Sequence, residues 1–199
     1  NCLKSYDNVF KAKQFLLFMV RIVLSGGTYA GKTSLLDFLN ADGFITVSDV
    51  GSQVIEELNK ELGDIEQQRA YRAVQPVAYY TRIIKSQFAI EAKIDLASNV
   101  VYDRGVHDYI VMLSMVQGSV PEELQKLVEN VSYDIVIVCD VLSAFDARKH
   151  TGRSFDKEAS LRLRKFTEEK YRSLGCKVFV LPEMPTAKQR YDFVTTILR

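Results

Sequence analysis

Eight consecutive residues, Gly26-Gly27-Thr28-Tyr29-Ala30-Gly31-Lys32-Thr33, match the pattern G-x-x-x-x-G-K-[ST] at every fixed position. A loop of this composition holds phosphate. Its glycines let backbone N–H groups turn inward as an anion nest, and a helix starting at the lysine adds about half a positive charge at its N-terminus. Ser34 follows in the first helical turn and extends the cradle. Lys32 is placed to reach β- and γ-phosphates from an open anion site, and the Thr33 hydroxyl to ligate Mg²⁺. A chance match in a chain of this composition has a probability on the order of 1%.

A phosphate site of this kind needs a carboxylate for the metal, and Asp103, at the end of an apolar run, is the candidate. The alternative role for Asp103 is to cap the helix that follows. Motor-type ATPases commonly carry a second acid next to it to activate water, whereas this chain has Arg104, an arginine suited to facing a substrate or a phosphate. Asp49 follows another apolar run, either as a base that accepts a hydroxyl proton or as a helix N-cap. Arg148-Lys149-His150-Thr151-Gly152-Arg153 has the composition of a basic lid, with Arg153 and Arg148 as its phosphate contacts. Tyr80, Arg82 and Gln87, on a long helical stretch before Asp103, are candidate substrate contacts. His107 and His150 have no triad or metal-ligand partner in sequence, and Asp64, Glu91 and Asp95 read as surface charges.

The elements that must position these residues alternate between strand and helix. Short apolar runs at residues 20–24, 44–47, 99–103, 133–138 and 177–181 read as strands. Helical patterns lie at 32–40 and 50–62, across 65–98 as one helix or two, and at 156–173. Fully apolar strands alternating with helices imply a parallel sheet covered on both faces. With 199 residues, four prolines and no linker composition, residues 19–199 form a single domain.

A net charge of +1 provides no global field for nucleic acid, and three scattered cysteines match neither a disulfide framework nor zinc, which points to a cytoplasmic setting. The apolar stretch Phe15–Val20 is cut by Arg21 after six residues, far short of a membrane span. Met19 stands just before the first strand, so residues 1–18 read as an N-terminal extension, with both a native and a non-native origin left open.

Taken with the loop, Tyr102-Asp103-Arg104-Gly105, the Arg153 segment and Lys170-Tyr171-Arg172-Ser173-Leu174-Gly175, the chain over residues 20–199 resembles a family of small AAA-annotated P-loop ATP-binding proteins. That family is related to nucleoside and nucleotide kinases, including nicotinamide riboside kinase-like domains. The resemblance implies an α/β P-loop NTPase three-layer sandwich. Its five-stranded parallel sheet has order 2-3-1-4-5, with helices on both faces, a lid after the fourth strand and an adenine site partly formed by Pro182–Thr186. Where the family tends to have Glu and then Arg after the second strand, this chain has Asp49 and Ser52.

The leading expectation is a Mg²⁺- and ATP-dependent phosphotransferase acting on a small nucleoside- or nucleotide-like acceptor, with a homodimer left open. The alternative is a nucleotide-dependent switch or binding protein, using ATP or GTP with slow hydrolysis, and having a protein or lipid partner. Against a GTPase switch, the chain has no D-x-x-G string, and the nearest string to N-K-x-D is Asn59-Lys60-Glu61-Leu62. An oligomeric motor ATPase would need the acid that Arg104 replaces.

Overall fold

The computed structural model describes residues 19–143 and 155–198. Five parallel strands form one sheet in the order β2-β3-β1-β4-β5: β1 (Arg21–Gly26), β2 (Ile45–Val47), β3 (Val100–Asp103), β4 (Ile135–Cys139) and β5 (Lys177–Leu181). Helices α1 (Lys32–Ala41), α2 (Val50–Leu62), α3 (Ile65–Val74), α4 (Pro76–Glu91), α5 (Val106–Gln117), α6 (Glu122–Val128), α7 (Lys157–Ser173) and α8 (Ala187–Ile197) fill the connections. The order is the one the family resemblance implies. The stretch expected as one helix or two is a pair, because Pro76 has no N–H to continue α3 and instead starts α4 at its first position.

Successive strand residues face opposite sides of a sheet, and both sides here are buried. Ile22 and Leu24 of β1, Val101 of β3 and Ile137 of β4 face α1 and α8, where Leu35, Leu39 and Val194 pack on them. Val23, Tyr102, Val136 and Val138 face the other way, against Val54 of α2, Ile83 of α4, Leu113 of α5 and Tyr171 of α7. Each fully buried Leu or Ile contributes about 1.5–3 kcal/mol, so the two layers together fix the central strand β1 in place. All five strands run the same way, so the loops after β1, β2 and β3 emerge along one edge, where ligands bind in such sheets. Among the described residues no helix is long and apolar enough to cross a membrane.

At the far edge, Glu91 is drawn inward rather than left on the surface: it pairs with Arg21 and accepts from Gln87 and Tyr133. The Arg21 guanidinium lies over the rings of Tyr102 and Tyr133, 5.4 Å from each centroid, and so adds a cation–π contact to its ion pair.

His107, at the start of α5, is buried edge-on to Tyr133 and Tyr171, and its Nε2–H donates to the Val131 carbonyl at 2.8 Å. Burial lowers its pKa below the ordinary 6.5, and nearby Lys170 acts in the same direction. The folded state therefore binds fewer protons than the unfolded chain. The stability due to the neutral ring is complete above about pH 6.5 and falls as pH drops through the window below it. Urea denaturation at a series of pH values should show a shallower acid-side loss for His107→Gln, whose amide can still donate to Val131, than for the parent protein.

Candidate functional site

β1 delivers the loop to the sheet edge between β3 and β4. Gly31 closes it as the N-cap of α1 with φ +67°, a left-handed conformation that side chains resist. A second constraint acts there: the Arg190 guanidinium of α8 lies where a Cβ on Gly31 would stand, and its Nη1 donates to the Ala30 carbonyl at 2.9 Å. Thr28 shares a 2.5 Å hydrogen bond with Ser160 of α7, which fixes the opposite side of the loop. Lys32 is only 7% exposed, not projecting from an open site: its Nζ folds back onto the Gly27 carbonyl at 2.9 Å and lies 3.9 Å from Asp103 Oδ1. Burial and then the charge of Arg104 push its pKa down. Thr33 and Ser34 stand exposed in the first turn of α1.

Asp103 ends β3 but does not cap the next helix. Gly105 occupies the N-cap of α5, and its N–H donates to the Asp108 carboxylate at 3.0 Å. Between them Arg104 has φ +78°, unusual for a residue with a side chain, and is 3% exposed. Its N–H donates to the Leu24 carbonyl, and its own carbonyl accepts from Gln87 Nε2 at 3.1 Å. The guanidinium donates to the Gly26 carbonyl at 2.8 Å, with Asp108 Oδ1 at 3.5 Å and Asp49 Oδ2 at 3.9 Å. Burial works against its charge, but Asp49, Asp108 and Asp103 outweigh that and hold it firmly charged.

The structure shows Asp49 as the helix cap. As N-cap of α2, Oδ1 accepts the Gly51 N–H at 3.0 Å and Oδ2 accepts from Ser52 Oγ at 3.1 Å. Oδ1 also accepts from the Tyr109 hydroxyl at 3.1 Å. Burial and the Asp49 charge push Tyr109 well above its ordinary pKa, so the hydroxyl keeps its proton to donate. The capped carboxylate still faces a narrow cleft of about 50 Å³. Tyr79, Tyr80, Ile83, Tyr109 and Met112 form the apolar walls of the cleft. Asp49, Ser52, Arg72 and Arg104 give it a polar side, and Thr28 joins it to the phosphate loop.

Of the residues singled out in the sequence, Asp49, Tyr80, Arg104 and Thr28 meet at this cleft. Arg82 does not line it, because Glu57 and Glu61 hold its guanidinium on the outer surface at 2.6–2.7 Å. Gln87 also lies outside the cleft, bonded to Glu91 and to the backbone of Arg104 from behind. Arg148 and Arg153 fall outside the described residues. Sequence reasoning passed over Asp108, Tyr109, Ser160 and Arg190. A carboxylate inside the apolar helix Val106-His107-Asp108-Tyr109-Ile110-Val111 was a visible signal, whereas nothing local marks Arg190 or Ser160.

For a divalent cation, Thr33 and Asp103 offer hard oxygen donors beside the loop, the donor chemistry of Mg²⁺. Among the described residues no cluster of three or more His, Cys, Asp or Glu could hold a metal by itself.

The double constraint at Gly31 can be measured against Gly175, which has φ +75° and no atoms near a Cβ. Gly175→Ala should cost only the left-handed backbone penalty, about 1–2 kcal/mol in chemical denaturation. Gly31→Ala should cost more and should also weaken nucleotide binding, because the added methyl displaces Arg190 from the loop.

A family model described as an AAA domain matches residues 21–190. The fold is similar to the structure of deoxyadenosine kinase from M. mycoides with bound dATP (TM-score 0.57, 18% identity, covering 89% of this chain and 98% of that chain). It is also similar to that of the same kinase with products dCMP and a flexible dCDP bound (TM-score 0.59, 17% identity, covering 89% of this chain and 97% of that one). No curated protein is significantly similar to the chain in sequence. The family match extends from the first residue of β1 into α8, over all five strands and the phosphate loop, and the protein belongs to this AAA-domain family on a fold it shares with deoxyadenosine kinases.

Proposed function

We propose that the protein transfers the γ-phosphoryl group of ATP to a hydroxyl of a small nucleoside- or nucleotide-like acceptor. The observation that carries this reading is the Asp49 carboxylate, facing a tyrosine-walled cleft that opens beside the phosphate loop, with the Arg104 guanidinium 3.9 Å away. A flat acceptor suits walls of Tyr79, Tyr80 and Tyr109. The structural likeness to deoxyadenosine kinases supports a nucleoside-like class.

The acceptor hydroxyl lies against Asp49, which orients it and takes its proton as the oxygen attacks the γ-phosphorus. The bond to the β–γ bridging oxygen breaks, and ADP leaves. Lys32 exchanges the Gly27 carbonyl for phosphate oxygens, and Arg104 offsets the charge that develops between the two substrates. Thr33 and Asp103 would hold Mg²⁺, which when bound neutralises charge on the β- and γ-phosphates. Arg148 and Arg153 add a basic lid in this reading.

The test measures ADP formation from Mg²⁺-ATP with and without a panel of nucleosides, deoxynucleosides, nucleoside monophosphates and nicotinamide riboside. At least one acceptor should raise the rate, and Asp49→Asn should lower kcat by about a hundredfold or more while changing the KM for ATP little. ADP release that no acceptor stimulates, or an Asp49→Asn enzyme with parental turnover, would refute the reading.

A further inference from the structure

Asp108 is fully buried, one turn into α5, a helix whose other inward-facing residues are almost all apolar. Such a carboxylate is costly unless donors surround it, and here they come from three parts of the fold. Oδ1 accepts from Ser25 Oγ at 2.6 Å, at the end of β1. Oδ2 accepts from the Gly105 N–H at 3.0 Å and from the Tyr171 hydroxyl of α7 at 2.7 Å. Burial and the neighbouring Asp108 keep the Tyr171 proton in place, so that bond runs in one direction only. The fourth donor is Arg104 Nη1, 3.5 Å from Oδ1.

Arg104 therefore lies between two carboxylates with opposite uses. Asp49 faces the cleft, and its oxygens already accept from Gly51, Ser52 and Tyr109. Asp108 lies behind, with the Gly26 carbonyl beside it. A guanidinium lacking the rear anion would close on Asp49 as a direct ion pair, weakening the carboxylate as a proton acceptor and moving itself away from the phosphate loop. We propose that Asp108 is a positioning residue that holds Arg104 back from Asp49 and aims it along the seam between loop and cleft. Its effect on turnover rests on the phosphotransferase reading above, but its effect on Arg104 does not.

The chemistry of the network provides a selective probe. In Asp108→Asn the amide oxygen can take the place of Oδ2 and keep Gly105 and Tyr171. The amide nitrogen, in the place of Oδ1, can donate to Ser25, since a hydroxyl both gives and accepts. Only Arg104 is left facing a donor. Tyr171→Phe does the converse, removing one partner of Asp108 and sparing Arg104.

The experiment follows the side-chain Nε–H resonance of Arg104 in the full chain, assigned by its loss in Arg104→Lys. In Asp108→Asn that signal should shift and exchange faster with solvent while the backbone amides of the sheet stay in place; in Tyr171→Phe it should not move. An Arg104 signal unchanged in Asp108→Asn would overturn the proposal, whether or not any acceptor is phosphorylated. With an active acceptor, Asp108→Asn should lower kcat by about a hundredfold with little change in the KM for ATP. It should add almost nothing further in an Arg104→Met background. Equal losses of kcat from Tyr171→Phe and Asp108→Asn would assign the network a structural role only and refute positioning. Asp108→Ser is read in the same way if the asparagine variant does not fold.

Discussion

A guanidinium buried to 3% exposure must be met by anions and carbonyls, since removing such an ion from water costs several kcal/mol before any partner is counted. Arg104 imposes that requirement on everything around it. The carbonyls of Leu24 and Gly26 reach it from β1, the side chain of Gln87 reaches its carbonyl from α4, and Asp49 and Asp108 flank its charge. Its left-handed backbone adds a local strain of about 1–3 kcal/mol, which persists only because these contacts jointly determine it. The end of β1, and with it the start of the phosphate loop, is therefore tied to the same residue that borders the tyrosine-walled cleft.

The phosphate loop is positive on several sides. Lys32 lies within it, Arg190 against it, Arg104 beside it, and the N-terminus of α1 points its partial positive charge into the same region. Asp103 is close enough to Lys32 to offset part of this. A loop on which several cations converge is stabilised by polyphosphate, and Lys32, resting on the Gly27 carbonyl, has a neutral partner that it can exchange without breaking a close ion pair.

What the sequence made legible is what depends on neighbours along the chain. The loop pattern, the five apolar runs and the helices between them are short-range signals, and the sheet order followed from the resemblance those motifs carry. The placement of Arg82 was legible too, in hindsight: Tyr79, Ile83 and Gln87 fall on one helical face with Tyr80 and Ile84 beside it, which leaves position 82 facing outward. Contacts such as Ser25 with Asp108, 83 residues apart, and Ala30 with Arg190, 160 apart, were not legible. Their partners are single polar residues whose meaning arises only when the sheet brings distant strand ends together. Asp49 is instructive in a different way. Its two readings, cap and base, looked exclusive in sequence, yet a carboxylate with four lone-pair sites can bind Gly51 and Ser52 and still present an edge to the cleft.

The division of labour across the sheet explains why two adjacent residues can face two different sites. Helices α1 and α8 cover the face behind the phosphate loop, while α2, α4 and α5 build the cleft on the other. Asp103, the last residue of β3, lies beside Lys32, and the left-handed backbone of Arg104 directly after it carries the next side chain toward Asp49 and Asp108. Directly after them Gly105, at the N-cap of α5, leaves room for the Tyr133 and Tyr171 rings that a Cβ would strike, so the helix can start at once and bring Asp108 back under Arg104. A longer turn between β3 and α5 would separate these roles. The compact Asp103-Arg104-Gly105 corner is what lets one strand end address the phosphate loop and the tyrosine-walled cleft together.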